Sequence, residues 1–274
     1  MARVLILSSF VAASRVGGGA QAMALARLGI EPGLVPTVLF GRHPGHGPPG
    51  GAAVAAETFE AVLGGVEAQG VFGSVNAVIT GHFSSAEQVA IAAQTLARVK
   101  AASPGVWLVV DPIMGDDGAG LYVREPVAEA IAAELVRAAD ILAPNAWELS
   151  RLAGRPVGDP ASAIAAAKSL GRDVMVSSIR EDGAIGALYV GGGSAWLATH
   201  APSEAAPKGT GDLLTAIFVA ALVQGRPPVD ALEIAVSVVA EGVALAAGVD
   251  ELPLSALPSR LSASPRVTLR RLDG

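Results

Sequence analysis

The residues best placed to do chemistry in this chain are Gly209, Thr210, Gly211 and Asp212, which open directly onto an apolar helical segment, Leu213 to Gln224. The first amides of a helix have no intrahelical acceptor and sit at the positive end of the helix dipole. A loop without bulky side chains there can cradle an anion such as a transferring phosphoryl group. Asp212, in the first turn, would direct its carboxylate at the same spot and could accept the proton of an attacking hydroxyl. The same aspartate also fits a plain N-capping role after a turn.

Two further segments carry oxygen ligands. In DPIMGDDGAGLYV, Asp111 to Val123, an aspartate ends a buried strand and a glycine-rich loop holds Asp116 and Asp117. In APNAWEL, Ala143 to Leu149, Asn145 stands where it would cap the next helix, with Glu148 three residues on, which is the pattern of a capping box. Each carboxylate therefore has a structural reading. Together, Asp111, Asp116 and Glu148 supply the hard oxygen donors that Mg²⁺ takes while leaving room for water and phosphate.

These segments need a scaffold that brings them together, and the alternation along the chain provides one. Short apolar runs alternate with longer alanine-rich amphipathic segments, the pattern of a parallel sheet covered by helices. The predicted strands are Val4 to Leu7, Leu34 to Phe40, Ala77 to Thr80, Trp107 to Val110, Ile141 to Leu142 and Val174 to Ser177. The predicted helices are Gly19 to Leu28, Thr58 to Gln69, Ala86 to Ala102, Val127 to Ala138, Ala146 to Ala153, Ala161 to Leu170, Leu213 to Gln224 and Val229 to Ala247. Ala184 to Val190 and Ser194 to Thr199 read as an antiparallel hairpin, and Arg266 to Leu272 as a last strand. Ligands of open α/β sheets bind beyond the carboxyl ends of the strands. Ser8, Ser9, Gly41 to His43, Gly81, His82, Asp111, Asn145, Ser177 and Ser178 are thus expected along one rim. With no repeat, linker or charge block to divide it, the chain reads as one domain over 1–274, with a proline-rich flap around 41–51 and a lid loop around 115–123.

Composition narrows the chemistry. With 274 residues, 51% of them hydrophobic and only 4% aromatic, alanine, valine and leucine carry the core, while 33 glycines supply the turns. A net charge of -6 without a long basic run argues against nucleic-acid binding. No cysteine is present, which excludes disulfides, thiolate metal sites and a cysteine nucleophile, and fits a reducing cytoplasm. No apolar stretch reads as a membrane span. A P-loop is excluded because Lys208 precedes Gly209 instead of following the glycine turn. The glycines from Gly17 to Ala22 match a dinucleotide fingerprint poorly, since the end of the second strand offers no acidic ribose ligand. His43, His46, His82 and His200 show no metal spacing, and no Gly-x-Ser-x-Gly elbow is present.

With the late GTGD, the Asp111 loop and APNAWEL in this order, the chain resembles the ribokinase superfamily, and within it the vitamin kinases, pyridoxal kinases most of all. ARLGIEPGLVPTVLFGRHPGHG and ITGHFSSAEQ add to the resemblance, which spans nearly the whole chain. It implies a ribokinase-like three-layer α/β/α sandwich with a mostly parallel central sheet and a C-terminal antiparallel hairpin. It further implies ATP-dependent phosphorylation of a hydroxymethyl group on a pyridine or similar ring. By position, Asp212 would be the catalytic base, Gly209, Thr210 and Gly211 the anion hole, and Asp111, Asp116 and Glu148 the organisers of Mg²⁺ and a monovalent cation such as K⁺. Asn145, Ser177, Ser178, Thr210 and Tyr122 would approach the ATP phosphates. Ser9 and His43 would face the vitamin ring, with Phe40 packing nearby. The resemblance also implies a homodimer acting on a small molecule.

Departures from the pyridoxal kinase pattern gather on the acceptor side, at Ser9, Phe10, Ala13 and Ser14, and at Arg42, His43 and Pro44. Hydroxymethylpyrimidine kinases usually carry cysteine where Asp212 stands, which favours the pyridoxal branch. A hydroxymethylpyrimidine kinase, another kinase of the superfamily, and a catalytically weak ligand-binding homologue remain the alternatives.

Overall fold

The structure is a computed structural model that describes residues 1–203 and 207–272; residues 204–206 and 273–274, which the expected domain includes, lie outside the described residues. In chain order the strands are β1 (Arg3–Val11), β2 (Glu31–Phe40), β3 (Gly51–Ala53), β4 (Ala77–Thr80), β5 (Trp107–Val110), β6 (Gly115–Asp116), β7 (Gly120–Leu121), β8 (Ile141–Leu142), β9 (Asp173–Glu181), β10 (Ala184–Gly191), β11 (Ser194–His200) and β12 (Thr268–Leu272). The helices are α1 (Gly17–Arg27), α2 (Ala56–Ala68), α3 (Ala86–Ala102), α4 (Glu125–Ala130), α5 (Val136–Ala138), α6 (Ala146–Ala153), α7 (Pro160–Ser169), α8 (Thr210–Val223) and α9 (Pro228–Leu245). A π turn over Ile131–Leu135 joins α4 to α5, so the single helix expected over 127–138 is continuous but locally widened.

Ten strands form one sheet in the order β12-β11-β10-β9-β8-β5-β4-β1-β2-β3. From β9 to β2 the pairings are parallel, while β10, β11, β12 and β3 join antiparallel. Parallel strands covered on both faces read as continuous apolar runs, and Val4 to Leu7 and Ala77 to Ile79 are buried accordingly. The chain winds outward from β1 in one direction through β2, and in the other through β4, β5, β8 and β9. The switch point therefore lies between β1 and β4, where Leu7 pairs with Thr80 and the next residues are Ser8 and Gly81.

One core cluster fills the side under α1, α8 and α9, with Ile6, Leu25, Phe218 and Leu232 fully or nearly buried. The other lies under α2, α3, α4, α6 and α7, around Phe59, Leu96, Ile131 and Leu149. The result is three layers, helix on sheet on helix. Helix α8 is buried from Leu213 to Leu222 because α1 and α9 pack against it, which explains why it is apolar all round. Among the described residues no helix is long and apolar enough to cross a membrane.

Three details differ from the sequence reading. Strand β9 runs on to Glu181, because Ile179 keeps the inward alternation and Asp182–Gly183 turn with φ 48° and 78°. Strand β3 pairs with the end of β2 and closes the 41–51 segment. The loop after Asp111 forms its own small ribbon, β6 with β7. All three depend on pairing partners, which local apolar periodicity does not reveal.

Candidate active site

Helix α8 starts at Gly209, whose φ of 88° is left-handed and where a Cβ would meet the Arg15 carbonyl oxygen at 2.4 Å, so glycine is required on both counts. No side chain caps this helix, and Asp212 is not its N-cap. The Asp212 carboxylate instead reaches across to α1, where its Oδ2 accepts the Gly17 amide at 2.8 Å. Its Oδ1 is buried without a hydrogen-bond partner. Burial pushes the Asp212 carboxyl up to about 6, although the Gly17 amide pulls the other way. A Cβ on Gly17 would lie 2.0 Å from Ser9 Oγ, and one on Gly18 3.2 Å from Ser8 Cβ. These two glycines let α1 rest on the end of β1 and bring its first amide to Asp212.

Asp111, just past β5, is buried and faces the same place from the sheet. Its Oδ2 accepts the Thr215 hydroxyl at 2.8 Å. Burial first, then the charges of Glu148 and Asp212, push its carboxyl well above the usual range. Three acids from separate parts of the chain therefore share one electrostatic environment. Ile113 has φ 38°, a left-handed conformation that costs a non-glycine residue about 1–3 kcal/mol. That turn aims the next two amides at Glu148, whose Oε1 accepts Met114 N at 2.6 Å and Gly115 N at 3.3 Å.

Glu148 and Asn145 form the capping box of α6: Glu148 Oε2 accepts the Asn145 amide at 2.9 Å and Asn145 Oδ1 accepts the Glu148 amide at 2.8 Å. Asn145 Nδ2 donates to Gly115 O at 2.8 Å, so the box also grips the loop that begins at Gly115. Burial pushes the Glu148 carboxyl up to about 7 against the amides of Asn145, Met114 and Gly115, which favour its charged form. Asp111, Asp116 and Glu148, expected to organise Mg²⁺, do not converge as one cluster of three side chains. Among the described residues no group of three such side chains could hold a metal. The physical reason is that Glu148 accepts three backbone amides, while Asp116 is exposed and turns its Oδ1 to the Asp117 amide at 2.8 Å.

The residues expected to approach the nucleotide lie along the same rim. Asn145 bridges to Ser177, whose amide donates to Pro144 O at 3.0 Å, and Ser178 follows, exposed, with φ 63°. Tyr122 follows β7, its amide bonded to Met114 O at 2.7 Å and its ring largely exposed. Burial, followed by the charge of Asp116, pushes its hydroxyl up to about 12. Thr210 and Gly211 begin α8.

The residues expected to face the acceptor are held differently. Ser9 is buried at a bulge where β1 loses register with β2, and Phe40 ends β2 with its carbonyl accepting Ala12 N at 2.8 Å. His43 opens the exposed 41–51 segment; its amide donates to Ser14 Oγ at 3.2 Å and its Nδ1 lies 3.4 Å from Lys208 Nζ. Burial, then the Lys208 ammonium and His46, push its imidazole below the usual range. Around the switch point, Ser8 Oγ, Thr80 Oγ1 and His82 Nδ1 are buried without hydrogen-bond partners, and burial pushes the His82 imidazole down to about 4. Buried polar atoms without partners at strand ends are groups that a polar ligand or a water could complete. Two cavities of about 480 and 380 Å³ lie elsewhere, at the amino ends of β1 and β2 beside α2, far from these groups in the fold.

Sequence reasoning missed two residues. Thr215 had a signal, because three residues past Asp212 is the same helical face. Lys208 was noted only for its order relative to Gly209, and nothing local shows that it reaches His43.

The three layers, the switch point and the helix that opens at Gly209 opposite strand-end acids define a protein of the ribokinase-like class. The chain belongs to the phosphomethylpyrimidine kinase family, whose family model matches residues 54–253. It is 38% identical over 230 residues to the pyridoxine/pyridoxal/pyridoxamine kinase of Bordetella avium, covering 81% of this chain and 78% of that one. To the pyridoxal kinase PdxY of Rubrobacter xylanophilus it is 35% identical, with 98% of this chain and 97% of the relative covered. Among solved structures it is similar to the pyridoxal kinase of Leishmania donovani in complex with ADP and pyridoxamine, with a TM-score of 0.92 at 28% identity and both chains covered completely.

Proposed function

We propose that this protein is an ATP-dependent kinase of vitamin B6 salvage, one ribokinase-like domain that phosphorylates the 5′-hydroxymethyl group of pyridoxal, pyridoxine or pyridoxamine. The observation that carries the reading is the meeting of Asp212, at the amide-rich start of α8, with the buried strand-end carboxylate of Asp111. The names of the relatives, pyridoxal kinases along nearly the whole chain, support the acceptor.

In this mechanism the amides of Gly209, Thr210 and Gly211 receive the negative oxygens of the transferring group, and Asp212 takes the proton of the acceptor hydroxyl. A carboxyl held near 6 is ionised at neutral pH yet more basic than an ordinary aspartate, which suits that task. Asn145, Ser177, Ser178, Thr210 and Tyr122 flank the phosphates, and Ser9, Phe40 and His43 face the ring. The acids suit a divalent cation that arrives with the triphosphate: Asp111 and Glu148 are buried close enough for their like charges to repel, and Mg²⁺ commonly takes one or two carboxylates and leaves its other positions to phosphate and water. Asp111 would hold it, with Asp116 and Glu148 adding charge around it, and the ion would neutralise the developing phosphate charge. A monovalent cation such as K⁺ and a homodimer, drawn from the family resemblance, and a cytoplasmic location, drawn from the absence of cysteine, are parts of the same proposal.

The test is ADP release coupled to acceptor, run over pyridoxal, pyridoxine, pyridoxamine, hydroxymethylpyrimidine and several sugars, with and without Mg²⁺ and K⁺. Turnover with the B6 vitamers is expected. A second reading, hydroxymethylpyrimidine as acceptor, is favoured by the family model itself, and preference for that compound would replace the first. ATP binding with no acceptor-dependent release would reject both.

A further inference from the structure

A serine or threonine within a helix often returns its hydroxyl to the carbonyl four residues back. Thr95 in α3 and Ser237 in α9 do this, donating to Ile91 O at 2.8 Å and Glu233 O at 2.7 Å. Thr215 does otherwise. It is 1% exposed, and its hydroxyl crosses from α8 to the sheet, where it donates to Asp111 Oδ2 at 2.8 Å. It stands three residues after Asp212, so the two side chains leave α8 on one face, one turn apart. On the other side of Asp111, the left-handed Ile113 presents its amide to the same carboxylate. A buried hydroxyl and a strained peptide thus converge on one carboxylate at the active-site rim.

Resting on the kinase reading above, we propose that Thr215 is a positioning residue for phosphoryl transfer. It locks the Asp111 carboxylate to helix α8, so that Asp111 and Asp212 meet the triphosphate and its cation at one fixed separation. Loss of a hydrogen-bond partner that orients a metal-side carboxylate typically costs 10- to 100-fold in metal affinity or activity.

The experiment compares Thr215→Val, which keeps the shape and removes the hydroxyl, with Thr215→Ser, which keeps the hydroxyl. Three quantities are read: the unfolding temperature, the affinity for Mn²⁺ in the presence of ADP by electron paramagnetic resonance, and kcat and KM with pyridoxal. Thr215→Val is expected to weaken Mn²⁺ binding and lower kcat by roughly 10- to 100-fold, with KM for pyridoxal little changed, and Thr215→Ser to restore both to near the wild-type values. If valine changes only the unfolding temperature, or if serine is as impaired as valine, Thr215 packs the core and the proposal is overturned. Thr215→Ala gives the same reading should the valine variant not fold. Mn²⁺ binding with ADP needs no acceptor, so a wild type that binds the pair but ignores pyridoxal would remove the vitamer assignment and leave this test standing. A wild type that binds no Mn²⁺ with ADP would overturn both.

Discussion

The proposed phosphate side and the proposed acceptor side of the rim are made in opposite ways. On the proposed phosphate side, Glu148 accepts three amides, Asn145 is bonded at its amide, its Oδ1 and its Nδ2, and Asp111 takes the Thr215 hydroxyl, in buried or partly buried surroundings. On the acceptor side, the 41–51 segment is largely exposed, and Ser8, Thr80 and His82 keep buried polar atoms without partners. The first arrangement suits chemistry that is the same for every acceptor, where preorganised dipoles stabilise a fixed charge distribution. The second suits recognition, in which the ligand supplies the missing hydrogen bonds. The departures from the pyridoxal kinase pattern fall on that second side, where on the proposed reading substitutions would alter which acceptor is taken without disturbing the transfer.

The contrast can be broken most sharply at Asp212. Asp212→Ala is expected to lower kcat by about two to four orders of magnitude with the KM for ATP little changed; steady-state kinetics that retain turnover would remove Asp212 as base.

A change on the acceptor side should have a smaller and different effect. His43→Ala is expected to raise the KM for pyridoxal by about tenfold, the loss of roughly one hydrogen bond to the ligand, and to leave the KM for ATP and most of kcat in place. An equal fall in kcat would mean that the two sides do not act separately.

The remaining effect is on stability, and its sign follows from burial. The Asp212 carboxyl is held near 6 in the fold, above the ordinary 3.8, so the folded state binds the proton more tightly than the unfolded one. The stabilisation from this group is fully present below about 4 and is lost as pH rises through about 6. Asp212→Asn, which cannot ionise, should therefore be more stable than wild type at pH 7 to 8 by roughly 1–3 kcal/mol and gain little at pH 4. Denaturant unfolding at the two pH values measures this, and an equal or lower stability of the variant at pH 8 would mean that the carboxylate is not strained by its site.

Much of the scaffold was legible in the sequence because its signals are local. Ala77–Thr80, Trp107–Val110 and Ile141–Leu142 are strands at the expected limits, and Ala86–Ala102 and Ala146–Ala153 are helices at theirs. Apolar runs bounded by small or polar residues mark such elements whatever they pack against. The rim residues followed from one further rule, that ligands bind beyond the carboxyl ends of parallel strands. The two readings left open at Glu148 could not be separated that way. A capping box is visible as Asn145 and Glu148, but the Met114 and Gly115 amides that take the other carboxylate oxygen come from a loop more than 30 positions away.

By itself, then, the chain determined its layers, its glycine-opened helix and the kinds of side chain available for chemistry, since these rest on propensity, periodicity and residue type. Only the tertiary structure decided the partner of each carboxylate: Gly17 for Asp212, Thr215 for Asp111, and the Met114 and Gly115 amides for Glu148. Those partners meet through sheet order and helix packing, and a buried acid draws its basicity and orientation from whatever the fold sets beside it.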